Sequence, residues 1–367
     1  MGEVKFSDLY KDVIDAGRCT GCSACVVACP YYVLGYEDER PFMKVDYAED
    51  YCPKGEGHGC TVCADVCPQL HDLTSPISTT VFGRERRDDE PYGIFNKIVA
   101  ARSRDAKVLK HAQDGGAITS LLSWGLSKGR IDGVATSSSE RVTPWVPTPR
   151  LATTPEELLQ CAGSKYTYSP NLRAIRDGLL RDLQKLAVVG NPCQSSGARQ
   201  MMLMGPKVYG ERIKLIIGFL CTETFDFGAL MEQRLRRQVD VRIEDISKMN
   251  VKGKLIVDFK DREKEIISIK ELKTMQRKAC TYCNDFSAEY SDIAAGGLGG
   301  TEGWTILLAR TKTGAEFLQG ALDDGVLETK DVDGEEFKPQ LETLRKLAVA
   351  QRKRPRWESI SAVSPVP

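Results

Sequence analysis

Between residues 115 and 238, the apolar positions follow two alternating patterns. Windows with an apolar residue every three or four positions predict amphipathic helices, and short continuous apolar runs predict buried strands. The predicted helices cover 115–127, 171–183, 195–204 and 225–238. The predicted strands cover 131–136, 185–189 and 213–220. Helices that alternate with buried strands are typical of an α/β sheet, which binds ligands beyond the carboxyl ends of its strands.

Two cysteines stand at the ends of these predicted strands. Cys193 follows the strand at 185–189 after a Gly-Asn-Pro turn, and Cys221 directly follows the apolar run 213–220. That run is far shorter than the ~18 apolar residues needed to cross a bilayer, so it is predicted to be a buried strand. The pattern therefore places sulfur chemistry where an α/β protein places its ligands.

Charge and cysteine are unevenly distributed along the 367 residues. Residues 1–78 contain 8 of the 13 cysteines, with 6 basic and 13 acidic side chains. The remaining residues contain 45 basic and 38 acidic side chains, so the net charge of the whole chain is zero. At ~100–200 residues per domain, two or three domains are expected. An acidic, cysteine-rich module is therefore joined to a larger basic one, and the proline-containing charged stretch 79–95 is predicted to be a linker.

The overall composition excludes several classes of protein. A net charge of zero argues against a nucleic-acid binder. The charged N-terminus lacks the apolar segment of a signal peptide, so a cytoplasmic protein is predicted. Disulfides are disfavoured in the cytoplasm, so 13 cysteines indicate metal or redox chemistry. With only 3 histidines in the chain, metal binding must depend on sulfur.

The N-terminal cysteines form two related motifs. The first, at 19–29, reads C-x2-C-x2-C-x3-C-P, and the second, at 52–67, reads C-x7-C-x2-C-x3-C-P. In bacterial two-cluster ferredoxins, the fourth cysteine of such a motif binds the other [4Fe–4S] cluster. The spacing therefore predicts two clusters, one held by Cys19, Cys22, Cys25 and Cys67 and the other by Cys29, Cys52, Cys60 and Cys63. A structural zinc module, which also uses four cysteines per ion, is the alternative.

A third group of cysteines lies in the larger module. Cys280 and Cys283 share a C-x2-C loop, and with Cys193 and Cys221 they make the four ligands of a third [4Fe–4S] cluster. Alternatively, Cys193 and Cys221 are buried apolar residues, as free cysteines commonly are. Spacing alone does not decide between these interpretations. Cys161 matches no motif and is interpreted as a bystander.

Three segments of the larger module are candidates for binding a phosphate or a flavin. Segment 113–119 carries a glycine pair at a predicted helix start, where free backbone amides bind anions. Segment 296–304 is rich in glycine, and segment 164–168 is polar and aromatic. Each segment alone also fits an ordinary turn or surface loop. None of them matches the dinucleotide fingerprint G-x-G-x-x-G.

In combination, these segments resemble a known family. The chain contains, in this order, Asp114-Gly115-Gly116, Ser164-Lys165-Tyr166-Thr167, Pro192-Cys193-Gln194, Cys221, Cys280-x2-Cys283 and Gly296-x2-Gly299-x3-Gly303-Trp304. Together they resemble the family of beta subunits of coenzyme F420-reducing hydrogenase over about residues 96–350. The resemblance implies an α/β flavin domain that binds FAD and one [4Fe–4S] cluster and exchanges a hydride with coenzyme F420.

The resemblance also implies roles for individual residues. The ligands of the cluster in the larger module would be Cys193, Cys221, Cys280 and Cys283, which makes three clusters in all. The contacts to FAD and coenzyme would come from Asp114, Gly115, Gly116, Thr119, Ser164, Lys165, Tyr166, Thr167, Gln194, Gly296, Gly299, Gly303 and Trp304. No catalytic acid or base is implied, because hydride transfer between bound rings depends on their orientation.

A ferredoxin module before a flavin domain is similar to the input (F) subunit of archaeal reduced-F420 dehydrogenase. That layout implies oxidation of reduced coenzyme F420, with electrons leaving for a membrane complex that reduces a quinone or methanophenazine, or for a ferredoxin-like acceptor. The alternatives are an F420-dependent subunit of a hydrogenase, formate dehydrogenase or other soluble reductase, and a non-catalytic iron–sulfur relay. The implied domains are a ferredoxin domain at 1–78, a linker at 79–95, the flavin domain at 96–350 and a basic tail at 351–367.

Two basic segments have competing interpretations. Lys252 and Lys254 are candidates for holding the anionic tail of coenzyme F420, or they belong to a solvated strand face. The C-terminal basic side chains are interpreted as a solvated helix end rather than a surface for a partner or an anionic membrane. They are Arg345, Lys346, Arg352, Lys353, Arg354 and Arg356.

Overall fold

The computed structural model describes residues 6–44, 52, 60–71, 74–139, 144–298 and 303–354. The N-terminal module contains a short antiparallel hairpin made of β1 (Leu34–Glu37) and β2 (Arg40–Met43). Its helical segments are Phe6–Leu9, the π-helical Tyr10–Asp15, Ala24–Ala28, Val62–Asp65 and Thr74–Phe82. The last of these helices crosses position 78, where the sequence places the end of the ferredoxin domain.

The larger module is built from two sheets. Its described strands are β3 (Lys97–Ser103), β4 (Gly133–Ser139), β5 (Pro147–Ala152), β6 (Leu186–Gly190), β7 (Ile213–Phe219), β8 (Ile246–Val251), β9 (Lys254–Phe259), β10 (Glu265–Ser268), β11 (Ile293–Gly296), β12 (Thr305–Ala309) and β13 (Leu327–Lys330). In the described part of the chain, eight strands form the main sheet in the order β13-β3-β12-β11-β7-β6-β4-β5. Strands β8, β9 and β10 form a small antiparallel sheet.

The centre of the main sheet is parallel and its edges are antiparallel. Strands β4, β6, β7 and β11 run parallel to one another. Strands β5, β12, β3 and β13 run antiparallel to their neighbours. The remaining helical segments are Ala106–His111, Ala117–Ser127, Pro155–Gln160, Asn171–Arg173, Ala174–Leu180, Pro192–Met204, Lys207–Gly210, Gly228–Gln238, Ile243–Asp245, Ile269–Leu272, Lys273–Met275, Lys278–Tyr282, Lys312–Asp323 and Lys338–Arg352.

Alternate residues of the central strands face two different layers. On β6, Ala187 and Val189 join a core that also contains the helices Ala117–Ser127 and Lys312–Asp323. The neighbouring Leu186 and Val188 face the opposite layer, whose core includes residues of the N-terminal module. Because side chains alternate with period two along a strand, one buried strand contributes to both cores. The two modules consequently share a core instead of being independent units.

The C-terminal helix covers another part of the main sheet. Residues of β3, β11 and β12 pack against Leu344 and Ala348 of helix Lys338–Arg352 and against Phe337, which directly precedes this helix. This helix crosses position 350, where the sequence places the end of the flavin domain. Within the described residues, no helix is long and apolar enough to cross a membrane.

Several sequence-based boundaries shift in the structure for local reasons. The helix predicted at 195–204 begins at Pro192, because proline fits the first helical position and the amide of Asn191 donates to Gln194 Oε1 at 2.9 Å. Cys193 therefore lies in the first turn of a helix and not in the loop before it. The helix predicted at 115–127 begins at Ala117, since Gly116 adopts φ +68°.

Candidate functional site

A cavity of about 870 Å³ lies at the carboxyl ends of the parallel strands. Gly190 at the end of β6, Phe219 at the end of β7 and Gly296 at the end of β11 all line it. Ligand pockets typically measure ~300–1,000 Å³, so this one is large enough for an extended cofactor. Its position agrees with the sequence-based expectation that ligands bind at the strand ends.

The glycine-bearing segments predicted to approach a ligand meet at one wall of this cavity. A side chain on Gly115 would place its Cβ 2.5 Å from the carbonyl oxygen of Ala101. A side chain on Gly297 would place its Cβ 2.2 Å from Asp114 Oδ2. Gly115 therefore leaves no room for a side chain against the backbone, and at Gly297 a side chain would have to displace the Asp114 carboxylate.

The polar and aromatic segment 164–168 forms another wall rather than a free surface loop. The buried amine of Lys165 donates to the carbonyl oxygens of Cys161 at 2.6 Å and Gly163 at 3.1 Å. Burial lowers the pKa of this amine to about 8. The hydroxyl of Tyr166 accepts a hydrogen bond from the amide of Val251 at 3.2 Å, which ties the segment to the small sheet. Burial raises the pKa of Tyr166 to about 12.

Most residues predicted to contact the cofactors line this cavity. They are Asp114, Gly116, Thr119, Ser164, Lys165, Tyr166, Thr167, Gln194 and Gly296. Gly115 packs against β3 as described above, and Trp304 packs edge-on against Phe337 with ring centroids 6.3 Å apart. Gly303, at φ +79°, and Trp304 are not among the residues that form the cavity wall. Gly299 lies outside the described residues.

The two lysines with competing interpretations occupy different positions. Lys252 lines the cavity together with Asn250, Val251 and Gly253. Lys254 begins β9 and is exposed. The structure therefore separates them, and only Lys252 lies where it can reach a ligand in the cavity.

The C-terminal helix supplies a cavity wall that the sequence did not predict. The lining residues of this helix are Thr343, Leu347, Ala350 and Gln351, and Arg354 just after its end also lines the cavity. Arg354 donates to the carbonyl oxygens of Thr222 at 2.9 Å and Cys280 at 2.7 Å. Arg352 donates to the carbonyl oxygen of Pro91 at 2.6 Å and pairs with Glu289.

The prediction of a solvated basic end is therefore wrong for Arg352 and Arg354. Arg345 and Lys346 do pair with Glu342 on an exposed helix face, and Lys353 is exposed. Arg356 lies outside the described residues. Charge counting could not separate these side chains, because the helix turns its basic residues toward both solvent and protein.

The twelve motif cysteines come together in three sets of neighbouring thiols. We call the two sets in the N-terminal module the first and second ferredoxin sets, and the set in the larger module the inner set. In each set, one thiol interacts electrostatically with the other three: Cys25 in the first ferredoxin set, Cys63 in the second and Cys221 in the inner set. These sets are Cys19, Cys22, Cys25 and Cys67; Cys29, Cys52, Cys60 and Cys63; and Cys193, Cys221, Cys280 and Cys283. The exchange of the fourth cysteine between the two N-terminal motifs follows the spacing argument.

Backbone amides point at several of these sulfurs. The amide of Gly21 donates to Cys19 Sγ at 3.4 Å, and further amides donate to the sulfurs of Cys22, Cys63 and Cys67. Burial, followed by the neighbouring thiols, raises the pKa of Cys63 to about 12. Such thiols ionise when iron binds them, and amide donors then stabilise the sulfur charge. The donor arrangement therefore fits iron–sulfur clusters.

The three sets follow one another away from the cavity. Cys221 lines the cavity, so the inner set lies against it. Cys193 of the inner set is an electrostatic neighbour of Cys22 in the first ferredoxin set. Cys25 of that set is in turn a neighbour of Cys63 in the second ferredoxin set. The order from the cavity is thus the inner set, the first ferredoxin set and the second ferredoxin set.

The 13 cysteines all lie among the described residues, and none of them forms a disulfide. Among the described residues, no three Cys, His, Asp or Glu side chains lie close enough to hold a single metal ion. Cys161 lies apart from the three sets and lines the cavity beside Lys165.

Comparison with known proteins supports this interpretation of the motifs. The profile for the C-terminal part of the coenzyme F420 hydrogenase/dehydrogenase beta subunit matches residues 183–335, and its N-terminal counterpart matches residues 98–176. The beta subunit of the coenzyme F420 hydrogenase of Methanothermobacter thermautotrophicus is 35% identical over 274 residues, which are 74% of this chain and 95% of the relative. The chain belongs to the family of coenzyme F420 hydrogenase/dehydrogenase beta subunits.

Two further similarities extend to the fold and to the N-terminal module. The F420-reducing [NiFe] hydrogenase complex of Methanosarcina barkeri contains a chain that superposes with a TM-score of 0.69 at 30% identity, covering 73% of this chain and 92% of that one. A 4Fe-4S dicluster profile matches residues 18–70. The F subunit of the F(420)H(2) dehydrogenase of Methanosarcina mazei is 29% identical over 350 residues, 93% of this chain and 91% of the relative. The α/β fold of the beta subunits, with a preceding ferredoxin-like domain, is thus confirmed.

Proposed function

We propose that this chain oxidises reduced coenzyme F420 by hydride transfer to FAD and passes the electrons singly through three [4Fe–4S] clusters to a protein partner. The observation that carries the proposal is the continuous order from the cavity through the inner set to the two ferredoxin sets. When bound, FAD supplies the chemistry that links a two-electron hydride donor to one-electron carriers.

The cavity walls supply what the cofactor needs from the protein. Free amides at the start of helix Ala117–Ser127 would hold the pyrophosphate, because a helix N-terminus attracts anions. The Lys165 amine is fixed by backbone carbonyls and adds positive charge nearby. Leu347 on the C-terminal helix helps to keep water from the cavity. Lys252, which lines the cavity, would hold the anionic tail of coenzyme F420.

The exit of electrons is assigned to the second ferredoxin set. Cys52 and Cys60 of this set are partly exposed, whereas Cys22 and Cys25 of the first set are buried. We assign as the partner a membrane complex that reduces a quinone or methanophenazine. Support comes from the dehydrogenase relative of Methanosarcina mazei, since that protein matches both modules of this chain.

Anaerobic mixing of the purified full-length chain with reduced coenzyme F420 tests the substrate. We expect bleaching of the flavin absorbance and reduction of an artificial dye, with the coenzyme returning to its oxidised spectrum. Reduction by NADH but not by the reduced coenzyme would contradict the assignment. Clusters without an acid-releasable flavin would instead indicate a non-catalytic relay.

Metal analysis tests the three clusters with a matched pair of variants. We expect about twelve iron atoms per chain, four for each set of four cysteines. Cys221→Ser should remove about four of these iron atoms, because the inner set loses a ligand. Cys161→Ser should leave the iron content unchanged, since Cys161 lies outside the three sets. A zinc content that replaces iron would refute the cluster assignment.

Membranes that contain the candidate partner test the electron acceptor. Adding the chain together with reduced coenzyme F420 should produce quinone or methanophenazine reduction that depends on the chain. If only soluble acceptors turn over at a comparable rate, the partner is a soluble reductase and the membrane assignment is wrong.

A further inference from the structure

One buried arginine joins the inner set to the first ferredoxin set. Arg277 lies three residues before Cys280, and its side chain is 9% exposed. Its Nη1 donates to the carbonyl oxygen of Thr20 at 2.8 Å, inside the first cysteine motif. Its Nε donates to Glu39 in the turn between β1 and β2. A guanidinium that belongs to the inner-set loop thus contacts the loop of the first ferredoxin set.

One tyrosine packs against this guanidinium, and a second tyrosine fixes the ferredoxin loop beside it. The guanidinium lies 3.9 Å from the centroid of the Tyr168 ring, and the Tyr168 hydroxyl lies 3.7 Å from Cys193 Sγ. On the ferredoxin side, Tyr36 donates to the carbonyl oxygen of Gly21 at 2.9 Å. A side chain on Gly21 would come within 2.8 Å of Arg277 Nη2, so the loop closes directly on the arginine.

The charge of Arg277 acts on both cysteine sets. It is an electrostatic neighbour of Cys19 in the first ferredoxin set and of Cys193 and Cys280 in the inner set. Burial alone would lower the pKa of Arg277, but its neighbours, the Glu39 carboxylate among them, outweigh burial and keep the pKa above its ordinary value. The guanidinium therefore remains charged at every working pH.

We propose that Arg277 is a positioning residue that holds the two cluster sites in register and favours reduction at both of them. A nearby cation stabilises the extra negative charge that each site gains on reduction, so it raises the reduction potential. Arginine suits this position because its planar fork can bind a carbonyl and a carboxylate while it stacks on a tyrosine. A lysine amine supplies the charge without the fork.

The inference rests on the inner cluster of the proposed function. The step it concerns moves one electron from the inner set to the first ferredoxin set, and no bond is made or broken and no proton is transferred. The inner site is oxidised by one electron and the ferredoxin site is reduced by one. Under the proposed function, reduced coenzyme F420 supplies the electrons.

Redox titration of the full-length holoprotein, followed by electron paramagnetic resonance, measures each cluster separately. At a fixed applied potential, we expect the ratio of the reduced to the oxidised form of each neighbouring site to fall about tenfold in Arg277→Gln. This corresponds to a reduction potential that is lower by about 59 mV for one electron. The second ferredoxin cluster serves as a control within the same molecule and should not shift. Arg277→Lys should keep the potentials but slow electron transfer between the two sites.

A second variant reverses the sign of the perturbation. Glu39→Gln removes the carboxylate beside Arg277 and should shift both neighbouring potentials upward, opposite to Arg277→Gln. A purely structural role would not produce opposite shifts. If both variants move the potentials in the same direction, or move all three clusters equally, the inference is overturned.

The wild-type measurement separates the two proposals. Fewer than three cluster signals in the wild type would contradict the proposed function itself. Three wild-type signals whose potentials do not respond to Arg277→Gln or Glu39→Gln would overturn only the role of Arg277.

Discussion

Replacing Asp292 with asparagine removes the charge from a buried junction of the main sheet. Asp292 precedes β11, and its carboxylate accepts hydrogen bonds from Arg199 Nη2 at 2.9 Å, the amide of Ile216 at 2.7 Å and the hydroxyl of Thr311 at 2.7 Å. The side chains of Asp292 and Arg199 are 5% and 7% exposed. Arg199 belongs to the helix that carries Cys193, so the junction ties this helix to the sheet.

The size of the expected stability loss follows from the unpaired charge that the substitution leaves. An asparagine Oδ1 can still accept from Arg199 and Thr311, but its NH2 group would face the amide of Ile216 donor to donor, and the buried guanidinium of Arg199 loses its counter-charge. Removing one partner of a buried ion pair costs about 3–5 kcal/mol. At roughly 2–4 °C for each kcal/mol in a protein of this size, the melting temperature of Asp292→Asn should fall by roughly 6–20 °C.

Thermal unfolding of the anaerobic holoprotein, followed by circular dichroism, measures the effect. Asp245→Asn is a matched control, because Asp245 pairs with Arg242 at 2.8 Å on the protein surface and should give no measurable shift. In the double variant Arg199→Met with Asp292→Asn, the unpaired charge is gone. The double variant should therefore be more stable than Asp292→Asn alone.

Two results would refute this reasoning. One is a melting temperature for Asp292→Asn that lies within error of the wild type. The other is a double variant that loses the sum of the two single losses, because additive losses mean that the two side chains do not interact.

Three further changes test the cavity and the inner set. Gly297→Ala should reduce the flavin-to-protein ratio at constant iron content, since its Cβ would lie 2.2 Å from Asp114 Oδ2. The surface variant Gly334→Ala is the control and should keep its flavin. Equal flavin loss in both variants would contradict the cavity assignment. Burial lowers the pKa of the Lys165 amine from 10.5 to about 8, so between these two pH values the unfolded state binds more protons than the folded state. The free energy of unfolding should therefore rise with pH over this range. Urea titrations should show a smaller rise for Lys165→Met. Arg354→Gln removes hydrogen bonds to the inner-set loops, so a chelator should extract about four iron atoms faster than from the wild type. An unchanged rate of iron extraction would show that the C-terminal helix does not support this site.

Local sequence determined the elements that depend on neighbouring residues. The apolar runs at β6 and β7 predicted buried strands, and the glycine pair predicted the start of helix Ala117–Ser127 to within two residues. The two motifs that end in C-x2-C-x3-C-P were enough to predict the two N-terminal groups of four cysteines, because ligands on one tight loop constrain one another. These features follow from short-range geometry, which is encoded in the spacing of residues along the chain.

Partners from distant segments could not be predicted in this way. Nothing in the composition of the basic C-terminus indicated that Arg354 would bind the carbonyl oxygen of Cys280 or that Gln351 would donate to Cys283 Sγ at 3.5 Å. The placement of Trp304 against Phe337, away from the cavity wall, also depends on how the helix Lys338–Arg352 packs.

The sequence by itself therefore predicted the two modules, the buried core strands and the two N-terminal groups of cysteines, since each is encoded in composition, period or spacing. Only the tertiary structure decided the order of the cysteine sets, the buried contact of Arg277 with both of them, and the C-terminal wall of the cavity. The physical reason is that a hydrogen bond or charge contact between residues more than 250 positions apart depends on the packing of every element between them.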